Sequence, residues 1–202
     1  MINTYIQAIV EIHETSVAKW HIQEIDNPYE GFLRLVCFQH EQNFRLWHQE
    51  DIARSPDVTN AEMANVKRTI DKLNQCRNDL IERLDDCLRD ELAAAGVRIQ
   101  DNARLNTETP GSVIDRLSIL ALRLYHMEEQ TRRTDADADH LAKAKARLAI
   151  LREQHRDLAA SLGELLADLF AGRKRLKVYR QFKMYNDPAM NPYLYTAKRS
   201  AA

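Results

Sequence analysis

The chain is poor in the residues that make turns. Five glycines and five prolines are spread over 202 residues, which leaves room for few chain reversals and therefore for few, long elements. Cysteine is scarce as well. Cys37, Cys76 and Cys87 form an odd number without a Cys-x-x-Cys pair, which argues against a disulfide framework or a thiolate zinc motif; three reduced thiols at buried, apolar helical positions are expected. No apolar run reaches the ~20 residues of a membrane span. The stretch MINTYIQAIVEIHETSVAKW carries Glu11, His13 and Glu14 and lacks a basic leader, so it reads as neither a span nor a signal peptide. A phosphate-cradling glycine loop and a G-x-S-x-G elbow are also missing, and the standard nucleotide-fold and hydrolase readings fail with them. Nor is there an excess of one charge. The net charge of -1 exerts no global pull toward nucleic acid or an anionic membrane, and the expectation is a soluble, cytoplasmic protein.

Hydrophobic residues supply 45% of the chain and charged ones 29%, ordinary values that place it among globular proteins rather than disordered ones. The length suits one domain over residues 1–202, with 173–202 as a basic and aromatic segment packed on it. Apolar positions at 3.6-residue spacing predict helices over about 2–21, 30–54, 60–95, 110–133 and 137–171. Asn27-Pro28 and Ser55-Pro56 break the first two. Thr59 or Asn60 caps the third, and Gly96 stops it. Residues 97–108 read as a loop. Thr109-Pro110 opens the fourth helix, and Gly172 ends the fifth. The fold class is all-α: a bundle of four to five long helices with a short basic C-terminal helix, reaching about Tyr185, and an irregular tail.

Two helices carry seams with one member out of character. Met63, Val66, Ile70, Leu73, Leu80, Leu84 and Cys87 are joined by Arg77. Leu141, Ala144, Leu148, Leu151, Leu158, Leu162, Leu165 and Leu169 are joined by His155. A seam guanidinium needs a carboxylate or a ligand's anionic part to face. The second helix has a stripe, Leu33, Val36, Cys37, His40, Phe44, Trp47, His48 and Asp51, that turns polar toward its end, with Glu50 and Arg54 beside it. The fourth is apolar around most of its circumference and so is expected at the centre. It holds Asp115, Arg116 and Ser118 in its first turns, and His126 three turns on from Asp115 along the same side. Each has a plain alternative: a seam histidine can be a hydrogen-bonded core residue, and Arg77 with Asp115 a structural ion pair. What favours a pocket is that four helices each bring charged or imidazole groups to apolar faces.

The di-metal site of helical bundles requires Glu-x-x-His pairs, and the sequence has none; Asp137-x-x-His140 lies in a solvated helix start. His48 with Asp51 is an unspecific metal signal, so neither a metal nor a cofactor is expected. The block RKRLKVYRQFKMY carries six basic residues from Arg173 to Lys183 with Tyr179, Phe182 and Tyr185 interleaved, a composition that single-stranded nucleic acid could use. Without a second basic surface, the better reading is that Val178, Phe182 and Tyr179 dock the segment while its charges face water. Arg180 and Lys183 could also fold over the pocket.

Three blocks, HEQNFRLWHQEDIAR (40–54), LNTETPGSVIDRLSILALRLYHM (105–127) and KVYRQFKMYNDPAMNP (177–192), together resemble a bacterial family catalogued as domain of unknown function 4254, with NQCRNDLIERLD (74–85) as a fourth. The likeness covers nearly the whole chain. Met190 stands where the family's pattern has leucine, and His155 where it tends to arginine. The second departure weakens a catalytic role for His155. The resemblance implies a helical protein without an assigned activity, associated with glycosyltransferases of cell-envelope polysaccharide assembly, and it gives weight to the polar residues inside the blocks.

The expected function is binding of a phosphorylated or otherwise anionic small molecule, such as a sugar nucleotide, in an internal polar pocket. Arg77, Arg116 and Arg180 would hold the anion through forked hydrogen bonds. Asp115 or Asp51 would orient His48 or His126 as general base or acid. Glu50, Arg54, Asn78, Glu108, Lys183 and Asp187 complete the candidate set. The rival is a non-catalytic partner of an envelope glycosyltransferase that works through the tail, and nucleic-acid binding ranks third. Long apolar faces allow a homodimer without specifying one.

Overall fold

The computed structural model describes residues 2–181, 184, 187–194 and 196. Five long helices run through it in order: α1 (Ile2–Trp20), α2 (Gly31–Ala53), α3 (Asn60–Ala94), α4 (Pro110–Thr131) and α5 (Ala138–Phe170). Their ends are chemically marked. Thr59 caps α3 in a full capping box, accepting from the Glu62 amide while Glu62 reaches back to the Thr59 backbone, which satisfies two amides the helix itself cannot. Thr109 caps α4 ahead of Pro110, and Asp137 caps α5. Gly96 and Gly172 take left-handed φ values of 62° and 70° just past the ends of α3 and α5, a conformation glycine adopts at no steric cost.

Helix α4 touches each of the other four helices. Its position follows from its composition, since Val113, Ile114, Leu117, Leu120, Ala121 and Leu122 are all buried. The main core joins Val113, Ile114, Leu117 and Leu122 to Ile9, Ile12, Leu84, Leu88, Leu162 and Leu166. A small separate core of Leu46, Val66 and Ile70 holds the far end of the α2–α3 hairpin together. Where α3 meets the start of α4, Gly111 lets the backbones approach: a Cβ there would lie 2.5 Å from the Ile81 carbonyl oxygen and 2.9 Å from an Asp85 oxygen. Asp85, buried, accepts the Gly111 amide at 2.7 Å, satisfying an otherwise orphan amide in the first turn of α4. Burial raises the Asp85 carboxyl above its ordinary value, against the lowering effect of its Thr109 and Gly111 hydrogen bonds.

Three expectations need correction. The first described residues after Gly172 are not helical: β1 (Arg104–Leu105), inside the 97–108 loop, pairs in parallel with β2 (Lys174–Arg175). Arg175 donates to the Ala103 carbonyl at 2.9 Å and Lys174 to Asn106 at 2.7 Å, so these cations tether the two segments and no helix continues through them. Leu176 packs on the core and Val178 is half-buried, while Tyr179 stays 65% exposed; of the expected docking residues Tyr179 thus faces outward, and Phe182 and Tyr185 lie outside the described residues. Among the cysteines only Cys37 is buried; Cys76 is exposed and Cys87 half-buried. No helix among the described residues is long and apolar enough to cross a membrane.

Candidate functional site

The polar centre is built on Asp115, which is 5% exposed in the second turn of α4. Its Oδ1 accepts from Gln39 Nε2 at 2.6 Å, Asn43 Nδ2 at 2.9 Å and Arg77 Nε at 2.8 Å. Its Oδ2 accepts from Arg77 Nη2 at 2.9 Å. The guanidinium therefore grips the carboxylate in a two-pronged fork, which adds orientation to charge. Asn43 also donates to Ser118 Oγ at 2.9 Å, and Ser118 lies 2.8 Å from His40 Nδ1. The expected carboxylate partner of Arg77 is thus Asp115. Its oxygens are occupied by an arginine and two amides, and neither His48 nor His126 is among its partners. Gln39 and Asn43 were not among the sequence candidates.

The outward stripe of α4 runs along a groove bounded by α2 and α3 on one side and α5 on the other. Three adjoining clefts, of about 470, 400 and 530 Å³, lie there. The first is polar, with Glu50, Asp51, Arg54, Asn74 and Arg77 around Trp47. The second is largely apolar, with Trp47, Met127, Ile150 and Leu151 beside His126 and Arg147. The third holds Arg116, Gln154 and Asp157. Arg123 belongs to all three. It is exposed and has no hydrogen bond or ion pair among the described residues. Sequence reasoning missed it because an arginine on an amphipathic helix reads as solvated surface; its signal was the place it occupies, one turn past Ile119 on the central helix.

The imidazoles form two groups. His21, His48 and His126 lie with ring centroids 5.1, 5.2 and 6.2 Å apart, packed on Phe44, Trp47 and Tyr125. His126 Nδ1 meets Glu129 at 2.8 Å, and Trp47 stacks on its ring at 4.6 Å and 10°. The carboxylate that orients His126 is therefore Glu129, three residues on. Burial holds the His48 ring below the ordinary histidine range, helped by His21 and His126 and opposed by Asp51. The second group is deeper. His13 and His40 are fully buried with centroids 4.8 Å apart, and His155 is 6% exposed. Burial lowers all three, His40 to about 3. Both His13 ring nitrogens and His155 Nε2 lack hydrogen-bond partners. Among the described residues no group of three or more His, Cys, Asp or Glu side chains is arranged to hold a metal ion.

The remaining candidates are scattered. Glu50 pairs with Arg54 at 3.1 Å. Arg116 pairs with Glu108 at 2.7 Å. Arg180 is tied to Glu82 and Asp86 of α3 at 3.1 and 2.8 Å. The three arginines expected to converge on one anion are therefore engaged separately, and Arg77 and Arg116 open onto different clefts. Asn78 is half-buried on α3. Asp187 accepts the Ala189 amide at 2.7 Å in a local turn of the tail. Lys183 lies outside the described residues.

Residues 33–178 match the model of the family described as protein of unknown function, DUF4254. The chain belongs to that family. The match spans α2 through β2 and takes in the whole Asp115 network and the groove along α4. No curated protein and no solved structure matches the chain.

Proposed function

We propose that this member of the DUF4254 family binds a phosphorylated or otherwise anionic small molecule in the groove along α4, with Arg123 as the anchoring cation. The observation that carries this is a single one: Arg123, exposed and without an ion-pair partner, stands at the common wall of three adjoining clefts. A guanidinium free of intramolecular carboxylates keeps its forked donors available for phosphate or carboxylate oxygens. Arg77 adds charge from the polar side; Asp115 holds it in place while leaving its side chain 26% exposed. Trp47 and Ile150 give an aromatic and aliphatic wall next to the anion position, suited to the ring system of a nucleotide or a sugar. A sugar nucleotide of cell-envelope glycan assembly is the ligand this combination fits best. His126, fixed by Glu129 at the same wall, is the candidate acid or base for any reaction of that ligand.

The test is a thermal-shift and calorimetric screen of nucleotide sugars, nucleotides, sugar phosphates and divalent metals. A ligand present at 100 times its dissociation constant stabilises by ~2.7 kcal/mol, and Arg123→Gln should remove that shift while leaving the melting temperature of the free protein within a degree or so. Binding unaffected by both Arg123→Gln and Arg77→Met would refute the assignment.

A second reading has its own support. Tyr179, Met184, Met190, Tyr193 and Leu194 are large apolar side chains between 40% and 87% exposed within one short C-terminal stretch, a concentration that suits a protein partner. An envelope glycosyltransferase is that reading's candidate. Deleting residues 187–202 should abolish partner capture and leave nucleotide-sugar binding in place.

A further inference from the structure

On the opposite side of α4 from Arg123 lies a cleft of about 540 Å³ formed by α1, α4 and α5, a volume in the ordinary range for small-molecule sites. It has two chemically distinct parts. Its floor is apolar and buried, made by Val17, Ala121 and Leu148. Its rim carries Arg132, Arg152 and Arg156 against Glu14 and Glu128. Glu128 engages Arg152 at 2.6 Å and Arg132 at 3.6 Å. Arg156 is exposed and has no carboxylate or hydrogen-bond partner among the described residues. Into the wall between floor and rim is set His155, 94% buried by its 6% exposure, with an unpartnered Nε2. A buried polar group with no partner costs about 1–3 kcal/mol, and in a native fold such a group calls for an explanation.

We infer that this cleft is a second ligand site, taking a small organic acid with one carboxylate and a compact hydrophobic body. The body would lie on Val17, Ala121 and Leu148, and the carboxylate would meet Arg156 beside His155. One carboxylate fits better than a phosphate dianion because the rim offers a single unpaired guanidinium and keeps two glutamates nearby. A planar carboxylate also matches the fork of an arginine side chain. Burial lowers the His155 ring below its ordinary value, with Glu14 opposing, so the imidazole next to the acid is neutral at pH 7 and acts as a hydrogen-bonding group rather than as a second cation. The site shares no lining residue with the Arg123 clefts.

The full-length protein, labelled with carbon-13 in its histidine rings, is titrated at constant ionic strength with benzoate, phenylacetate and octanoate. Benzyl alcohol and inorganic phosphate serve as the uncharged and the non-hydrophobic comparison. The expected result is a saturable shift of the His155 ring signal by at least one carboxylate, with benzyl alcohol and phosphate each about tenfold weaker or worse. Arg156→Gln should weaken the carboxylate by about tenfold, the usual loss of one charge-assisted hydrogen bond. Ala18→Trp, placed at an exposed alanine of the cleft, should block it without touching the core, and Arg123→Gln should leave it unchanged. Saturable binding that survives both Arg156→Gln and Ala18→Trp overturns the site. So does phosphate binding as tightly as the carboxylates, and so does the absence of any His155 shift up to 10 mM ligand, roughly the weak end of specific binding.

Discussion

Two buried polar clusters lie within one core, and they are finished differently. Around Asp115, an arginine fork and two side-chain amides satisfy both carboxylate oxygens, and the one loose end on those amides is Gln39 Oε1. Around His13, two ring nitrogens stay unpartnered at zero exposure, with His155 Nε2 in the same condition. The first cluster draws its members from α2, α3 and α4 and ties those helices in one register. The second is packed mainly by ring contacts, with the His40 Nδ1–Ser118 Oγ hydrogen bond as its link to the first, and holds imidazoles in the form that burial dictates, uncharged. A buried carboxylate whose oxygens are both met is held firmly in place, whereas imidazole nitrogens left unmet at zero exposure are a standing cost. The contrast separates the part of the core that is architecture from the part open to further interaction.

The largest expected effect lies in the Asp115 cluster. Asp115→Ala would strand the Arg77 charge and remove the acceptor of four amide and guanidine hydrogen bonds, and should cost ~3–5 kcal/mol in urea unfolding; a loss under 1 kcal/mol would mean that the fork contributes little. Next comes the helix contact that brings Asp115 into place. Gly111→Ala places a Cβ against the Ile81 carbonyl at 2.5 Å, forcing α3 and α4 apart, with an expected loss of about 1–3 kcal/mol. An unchanged melting temperature would show that the helices can separate freely.

The histidine cluster should be felt through pH. A ring whose pKa is lowered in the folded state takes up its proton first in the unfolded chain. Its stabilising effect is therefore present above the unfolded value near 6.5 and is lost as pH falls below it. For His40, whose folded value is about 3, the slope approaches ~1.4 kcal/mol per pH unit between those limits. His13 and His155 shift in the same direction. Chemical denaturation at pH 7.5, 6 and 5 should give falling stability, and a flat profile would show that the rings are protonated in place. The smallest effect is the most diagnostic. His13→Leu removes two unpartnered nitrogens at nearly constant volume, so stability at pH 7.5 should hold or rise by up to ~1 kcal/mol and the acid slope should shrink.

Much of this architecture could be read ahead of the structure, and the reasons are local. Thr59, Thr109-Pro110, Gly96 and Gly172 mark helix ends by their own backbone chemistry. The Arg77–Asp115 pair was accessible because a charge in an apolar seam demands a partner. What escaped depended on distant chain. Gln39 and Asn43 are four residues apart on one face of α2, and polar residues on a helix face normally mean water; here the face meets a carboxylate 76 and 72 residues away. The α3 seam drifted for a different reason. A strict heptad predicts Cys87, but a straight helix slips ~20° per seven residues, and the core takes Leu88 instead, 1% exposed. The β1–β2 pairing joins two-residue strands with no periodicity to detect. The convergence expected of Arg77, Arg116 and Arg180 failed because each has a closer carboxylate of its own.

The chain contains two tryptophans, and each indole is stacked on an imidazole: Trp20 on His40 at 5.2 Å inside the core, Trp47 on His126 at 4.6 Å beside the groove. Indole emission follows the polarity of what surrounds the ring, so the molecule carries two internal optical reporters that look at different places. Trp20 should brighten or dim only when the core itself opens, because its partner is sealed. Trp47 borders two of the clefts around Arg123, and anything that settles there displaces solvent from its ring. With Trp20→Phe in hand, the light from one remaining indole would read occupancy of the groove directly, without any label.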